Sequence, residues 1–507
     1  MKHTRSLFPK ISAWLLVFAQ VLAPVEAQSS LPALGDGAEM SSSAERQLGD
    51  RIARELYRSP DFLDDAILGD YVQGIWQRLM EAARTRGELS SELEERYAWE
   101  VLLGRDRSVN AFALPGGYMG VHLGLIAVVS SEDELASVLA HELSHVTQRH
   151  IARIISRQSN QAPWLLGAMI LGALAAASNP SAAGAMIVGG QAAAVQGQLN
   201  FSRDMEREAD RVGYSVMTQA GFDPRGFVGM FEKLQQANRF NDTGAFPYLR
   251  SHPLTTERIA DMQARQQLLP ATPARPLTTV HAMMAARARM LANPEVDSLR
   301  QALAQVEAPA YAGLPAAQQA GVLYAAVLAA RGLREFEAAR RWHERLHARV
   351  AQDPVAAYQA RLLGAELALT TGDPRRAREL LGASASGPSA QQPRAWVLFR
   401  ANVWTQGGQA REAAEQLQVW LAGRPRDAQA WQLLSAAYAA QGRTLQAVRA
   451  EAEAHAARLD YAAARDRLKA AQELARQGGA VDHIEASIID TRSRQIESLL
   501  REQALER

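Results

Sequence analysis

Two histidines stand four residues apart in His141-Glu142-Leu143-Ser144-His145. On a helix that spacing puts both imidazoles on one face, where they can offer nitrogens to a single zinc ion. Glu142, beside them, is the kind of carboxylate that takes a proton from a metal-activated water, the arrangement of a zinc hydrolase. The bland alternative is a surface helix with unrelated histidines, but Leu135, Val138, Leu139, Leu143 and Val146 give this stretch an apolar, buried character. A catalytic zinc takes three protein ligands and an open position, so one more ligand is needed. A longer motif on the same stretch would need Gly at 148 and His at 151, and those positions hold Gln148 and Ile151. The third ligand must come from elsewhere.

Downstream, Glu206-Arg207-Glu208-Ala209-Asp210 offers carboxylates. Glu206 and Asp210 share a helical face, whereas Glu208 points about 160° away. On that face Glu206 would bind zinc and Asp210 would hold a ligand histidine in its tautomer. Taken alone, a run with Arg203, Arg207 and Arg211 reads as a solvated ion-pair face, and the upstream motif is what favours the metal. His252 sits in Ser251-His252-Pro253, where the proline restricts it to an extended conformation. Three roles are open to it: structural, stabilising a developing oxyanion, or reaching the zinc's open position and silencing the site. Asn110, Ala111, Phe112, Ala113 and Leu114 form an extended run that could accept substrate as an added strand, or serve simply as core. His122 and His150 show no comparable pattern and read as ordinary fold or surface residues.

Several elements must position these groups. Ser131-Glu132-Asp133-Glu134 is a capping-box pattern, so a helix should start there and run to about Arg157. A second helix is expected from about Ser202 to Ala220, ended by Gly221 with Pro224 beyond it. Met40 to Arg86 looks helical, with apolar residues at intervals of three and four and few breakers before Gly87. Tyr97 to Leu103, Val109 to Leu114 and Tyr118 to His122, the last two separated by Pro115-Gly116-Gly117, predict a small sheet. Pro163 to Leu199 is rich in Ala, Gly and Met; divided by Asn179-Pro180, its first piece is too short to span a bilayer. Two readings are open, a membrane hairpin or a buried helical pair that acts as a flap; the length favours the second, with at most peripheral membrane contact.

The chain starts with Lys2, Arg5 and Lys10, an apolar run from Ile11 to Leu22, and Val25-Glu26-Ala27, which predicts an export signal at 1–27. With no cysteine, it has no possible disulfide and no site for a lipid-modified N-terminus, and a periplasmic location is expected. Lys plus Arg number 55 against 54 Asp plus Glu, so no long-range field recruits nucleic acid. The 507 residues suggest several domains. A metallopeptidase domain is expected over 28–270, a linker containing Ala271-Thr272-Pro273-Ala274-Arg275-Pro276 over 271–280, and a helical repeat domain over 281–507. Gly332, Gly372, Gly407 and Gly442 recur at spacings of 35 to 40. Trp431, Leu434, Ser435, Tyr438, Gly442 and Ala447 fit the tetratricopeptide pattern, and Pro354 and Pro425 sit where such repeats turn.

HELSH at 141–145, EREAD at 206–210, NAFALPGG at 110–117 and SHPLTTERI at 251–259 together resemble the zinc metallopeptidase family of the CAAX prenyl endopeptidases and the heat-shock protease HtpX. The motifs cover about Ser43 to Ala264. The resemblance implies an α+β zincin-type metallopeptidase domain, mostly helical with a small sheet, followed by an all-α tetratricopeptide-like repeat domain. It implies one zinc per chain held by His141, His145 and Glu206, Glu142 as catalytic base, and Asp210 as a catalytic-site residue sometimes assigned as proton donor. With its export signal and repeats the chain is similar to a subgroup acting in quality control or assembly of outer-membrane β-barrel proteins. Protein substrates, barrel clients and their assembly machinery are the partners this implies, with the repeats recruiting them. The rival is a chaperone or adaptor with an idle or structural zinc site; retention of Glu142 argues against it, since a structural site needs no base.

Overall fold

The computed structural model describes residues 40–157, 202–239, 246–267, 275–382, 392–477 and 483–505. The export signal at 1–27, the stretch 163–199 and linker residues 271–274 lie outside the described residues. Met40 to Arg86 is two helices rather than one. The first, α1 (Ser42–Arg58), stops where Pro60 excludes helical backbone at Ser59, which takes φ −64°, ψ 137°. After the short β1 (Phe62–Leu63), Asp65 restarts the chain as α2 (Ala66–Thr85), its carboxylate accepting the Leu68 N–H at 2.8 Å. One face of α2 buries Val72, Ile75, Trp76 and Leu79 in the core.

After α3 (Ser91–Arg96) come β2 (Glu100–Gly104), β3 (Ala111–Leu114) and β4 (Tyr118–His122), and the sheet order is β1-β2-β4-β3. β1 runs antiparallel to β2, β2 parallel to β4, and β3 antiparallel to β4. The turn between β3 and β4 needs its glycines: Gly116 and Gly117 have φ of 70° and 82°, and a Cβ on Gly116 would lie 2.7 Å from the Arg46 Cα. β4 leads into α4 (Leu123–Val128).

Helix α5 (Glu132–Thr147) starts as its sequence predicts, with Ser131 Oγ accepting the Glu134 N–H. It is buried over almost its whole length among α2, β3, α7 (Arg203–Gln219) and α8 (Arg225–Arg239). Gly213 allows the close approach of α7, since a Cβ there would lie 3.0 Å from the Ala140 carbonyl. The helix does not continue to Arg157. It ends at Gln148, Arg149 adopts a left-handed φ of 53°, and α6 (His150–Arg157) begins anew. A left-handed non-glycine residue costs about 1–2 kcal/mol. Here it is held by Arg149 donating to Glu45 Oε2 at 3.2 Å and to the Met40 carbonyl. Beyond α8 lie α9 (Tyr248–Ser251) and α10 (Thr256–Gln267).

From α11 (Thr279–Ala292) onward the described elements are all helical, and most of these helices pack on the helix next in sequence, while α11 packs mainly on the helix Ala316–Gly332. So the chain is mostly helical with one small four-stranded sheet among the described residues. α11 also packs on α4: His281 is buried, with its Nε2 3.0 Å from the Val129 carbonyl and its Nδ1 2.7 Å from the Tyr71 hydroxyl. Among the described residues no helix is long and apolar enough to cross a membrane.

Candidate metal centre

α5 presents His141 and His145, α7 presents Glu206, and the connection between α9 and α10 presents His252. All four are at most 2% exposed, and their donor atoms lie within 4.8 Å of one another. The two histidine Nε2 atoms are 3.0 Å apart, and Glu206 reaches within 3.5 Å of His141 Nε2 and 3.4 Å of His145 Nε2. His252 Nδ1 lies 3.3 Å from His141 Nε2 and 3.0 Å from Glu206 Oε1. Ligands 2.0–2.1 Å from a tetrahedral zinc are about 3.3 Å from each other, so this donor set matches zinc in both chemistry and spacing.

Asp210, one turn beyond Glu206, places Oδ1 3.0 Å from His141 Nδ1, on the side of the ring away from the other donors. Burial would lower the His141 pKa, but Asp210 and Glu206 outweigh it and hold it at about 9. Burial alone would raise the Glu206 carboxyl; His252, His141 and His145 keep it well below the usual carboxylate range. Arg258, unnoticed in the sequence, ties these acids together. Its Nε and Nη2 donate to Asp210 at 2.6 and 2.8 Å, its Nη1 donates to the Pro253 carbonyl at 2.9 Å, and Nη1 is 2.6 Å from Glu206 Oε2. Against the cost of burial, Arg258 keeps the Asp210 carboxyl below its ordinary value. The signal available was its place in SHPLTTERI, six residues after His252.

Glu142 is fully buried, and its Oε2 accepts the Ala113 N–H at 2.8 Å. Its Oε1 has no hydrogen-bond donor among the described residues and lies 3.4 Å from His252 Nε2. β3, which carries Ala111 to Leu114, is an edge of the sheet. His122 N–H donates to the Asn110 carbonyl, so antiparallel alternation turns Ala111 and Ala113 toward the outer edge, where Glu142 meets Ala113. The Tyr248 ring, also unnoticed in the sequence, stacks on His252 with centroids 4.5 Å apart. His122 is buried against Ser108, Nδ1 to Oγ 2.8 Å, and belongs to the fold. His150 is not at the surface: it is fully buried behind His145, and Glu208, which faces away from the metal donors, meets it there.

The model of peptidase family M48 matches residues 71–266. Over 453 residues the chain is 31% identical to the beta-barrel assembly-enhancing protease of Escherichia coli, a match spanning 87% of each protein. The chain belongs to peptidase family M48. This M48 peptidase is also 34% identical over 290 residues to a putative beta-barrel assembly-enhancing protease of Vibrio cholerae, covering 56% of this chain and 57% of that protein. Against a mitochondrial metalloendopeptidase of Saccharomyces cerevisiae it is 28% identical over 196 residues, 38% of this chain and 54% of the other. As an M48 peptidase it is a zinc-dependent metalloendopeptidase, and the His141, His145, Glu206 and His252 group fits one zinc per chain.

Proposed function

We propose that this chain is a periplasmic endopeptidase in which His141, His145 and Glu206 hold the zinc, Glu142 is the general base, and the helices beyond Thr278 recruit protein clients. The single observation that carries this is the environment of Glu142: one oxygen pinned by the Ala113 N–H, the other undonated and 3.4 Å from His252. Zinc, when bound, supplies a Lewis acid that acidifies water and polarises a peptide carbonyl. Glu142 takes the proton of the attacking water and delivers it to the leaving amine. An extended substrate pairs with the outer edge of β3, in register with Ala111, and main-chain pairing of this kind asks little of side-chain identity. Asp210, gripped by Arg258 and with its Oδ1 3.0 Å from His141 Nδ1, orients His141. His252 is the fourth donor of the resting enzyme, and its loop releases the position for substrate.

The predicted export signal supports the periplasm. The names of the bacterial relatives support a role in assembly or quality control of outer-membrane β-barrel proteins and contact with their assembly machinery. Tetratricopeptide-like repeats are supported by left-handed Gly372 and Gly442 at helix ends, each with φ 73°, and by Pro354 opening a helix. A buried carboxylate with an undonated oxygen, Glu142, beside one of the donors disfavours a chaperone or adaptor with an idle metal, because a structural site needs no base.

Zinc content and casein cleavage measured side by side for wild type and Glu142→Gln test the proposal. Zinc should stay at one per chain in both, while cleavage falls by about 10²–10⁴-fold. Wild-type cleavage by a zinc-replete variant would reject Glu142 as base. A zinc-loaded wild type that also leaves unfolded protein substrates intact would favour the adaptor.

A further inference from the structure

We infer that His150 and Glu208 are positioning residues for His145, forming a relay from imidazole to imidazole to a carboxylate near the protein surface. The inference rests on His145 being a zinc ligand. His145 Nε2 faces His141 Nε2 and Glu206, so its Nδ1 faces the opposite way. There it meets His150 Nδ1 at 2.8 Å, with ring centroids 4.9 Å apart and the rings edge to face at 74°. His150 Nε2 in turn lies 3.1 Å from Glu208 Oε2, which also accepts from Arg153 Nη1 at 2.9 Å.

Proton placement along this chain follows from the atoms. A ligand His145 must keep its Nε2 lone pair for zinc, so its proton sits on Nδ1. Two ring nitrogens 2.8 Å apart require one donor and one acceptor, so His150 Nδ1 is bare and its proton sits on Nε2, aimed at Glu208. One tautomer assignment therefore gives each of the four ring nitrogens a role, and the chain ends on an anion paired with Arg153. The anion draws the protons outward and leaves His145 Nε2 the better electron donor. Each of the two helix-borne histidines thus has its own support: His141 the buried Asp210 and Arg258, His145 the longer relay.

The break after α5 is what builds it. In an uninterrupted helix His150, five residues after His145, would project about 140° away from it. The left-handed Arg149 ends the helix and folds the His150 ring back behind His145. Glu208, on the face of α7 opposite Glu206, then finds α6 rather than solvent.

The test uses the full chain, zinc dissociation constants from competition with a chromophoric chelator, and thermal midpoints of the metal-free protein. His150→Leu removes both links and should weaken zinc binding by about 10–100-fold. His150→Asn sets a carbonyl oxygen near the position of Nδ1 and should recover most of that loss. Glu208→Gln, a change at a partly exposed position, should weaken zinc by a smaller factor with the metal-free midpoint unchanged. A purely structural His150 would instead lower the metal-free midpoint in the Leu and Asn variants alike and leave zinc affinity unchanged, which would overturn the relay. So would a Glu208→Gln protein that binds zinc as wild type does, whether or not the Leu variant folds. His145→Ala separates the two levels: unchanged zinc affinity there would remove His145 as a ligand, whereas a large loss there with none in the relay variants rejects the relay alone.

Discussion

Arg258 is the residue on which the charge balance of the site depends, so Arg258→Met is the most revealing perturbation. The guanidinium is 3% exposed, is bidentate to Asp210, and lies 2.6 Å from Glu206. Removing one partner of such a buried cluster leaves uncompensated charge and costs about 3–5 kcal/mol. The lost bond to the Pro253 carbonyl adds about 1 kcal/mol. With a urea slope of about 3 kcal/mol/M, the unfolding midpoint of metal-free protein should fall by roughly 1–2 M. Saturating zinc should shrink that loss, because the dication again gives Glu206 a positive neighbour while Asp210 alone stays short of one. Arg258→Lys should fall between, since an ammonium cannot grip both oxygens of Asp210 while reaching Pro253. Urea titrations followed by tryptophan fluorescence, with chelator and with zinc, measure all of this. A metal-free midpoint unchanged from wild type would refute the charge argument. An equal loss with and without zinc would show that Arg258 does not act through Glu206.

Glu206→Gln replaces an anionic ligand by a neutral amide and should release zinc under mild chelator that leaves wild type loaded; unchanged zinc per chain would mean a different third ligand. His252→Ala should raise basal casein cleavage with zinc retained, and lower turnover at an unchanged coordination number would remove the resting-state role. Asp70 gives a pH effect: burial outweighs its bonds from the Ala395 and Arg394 N–H groups and raises its pKa to about 6. The folded state then holds the proton more tightly than the unfolded one, so stability drains as pH rises from about 4 to about 6, by at most about 3 kcal/mol. Asp70→Asn should flatten stability across that window, and an unaltered urea-midpoint profile would reject the assignment.

Local chemistry was legible in the sequence wherever the deciding atoms sit within one turn of each other. Ser131 and Ser202 cap their helices by accepting N–H groups three residues on, and Gly221 is left-handed just past the end of α7. Pro60 was equally local, and the division between α1 and α2 could have been read from it. The end of α5 could not. Nothing near Arg149 in sequence favours left-handed backbone; Glu45, 104 residues away, and Met40 hold it there. His150 therefore looked incidental, since its relation to His145 exists only once that break is made.

His141 and His145 were readable as candidate donors from helical spacing, and Glu206 only once that upstream motif stood beside it. What holds those donors in place was hidden, because Arg258 and His150 acquire their meaning from partners on other elements. Hydrogen bonds also join residues on either side of the expected division at 271–280. A change of composition marks where the chain's local pattern changes, whereas burial follows contacts. Arg287 on α11 is 2% exposed and bidentate to Asp65, the residue that caps α2, at 2.9 and 2.6 Å, and it also pairs with Glu366. Asp70 on α2 accepts the N–H groups of Arg394 and Ala395 at the start of the helix Arg394–Gln406. α2 packs directly on α5. Asp65 and Asp70 thus tie α2, which packs on the helix carrying His141, Glu142 and His145, to the C-terminal helices, although two like-charged aspartates five residues apart gave no hint of it in the sequence.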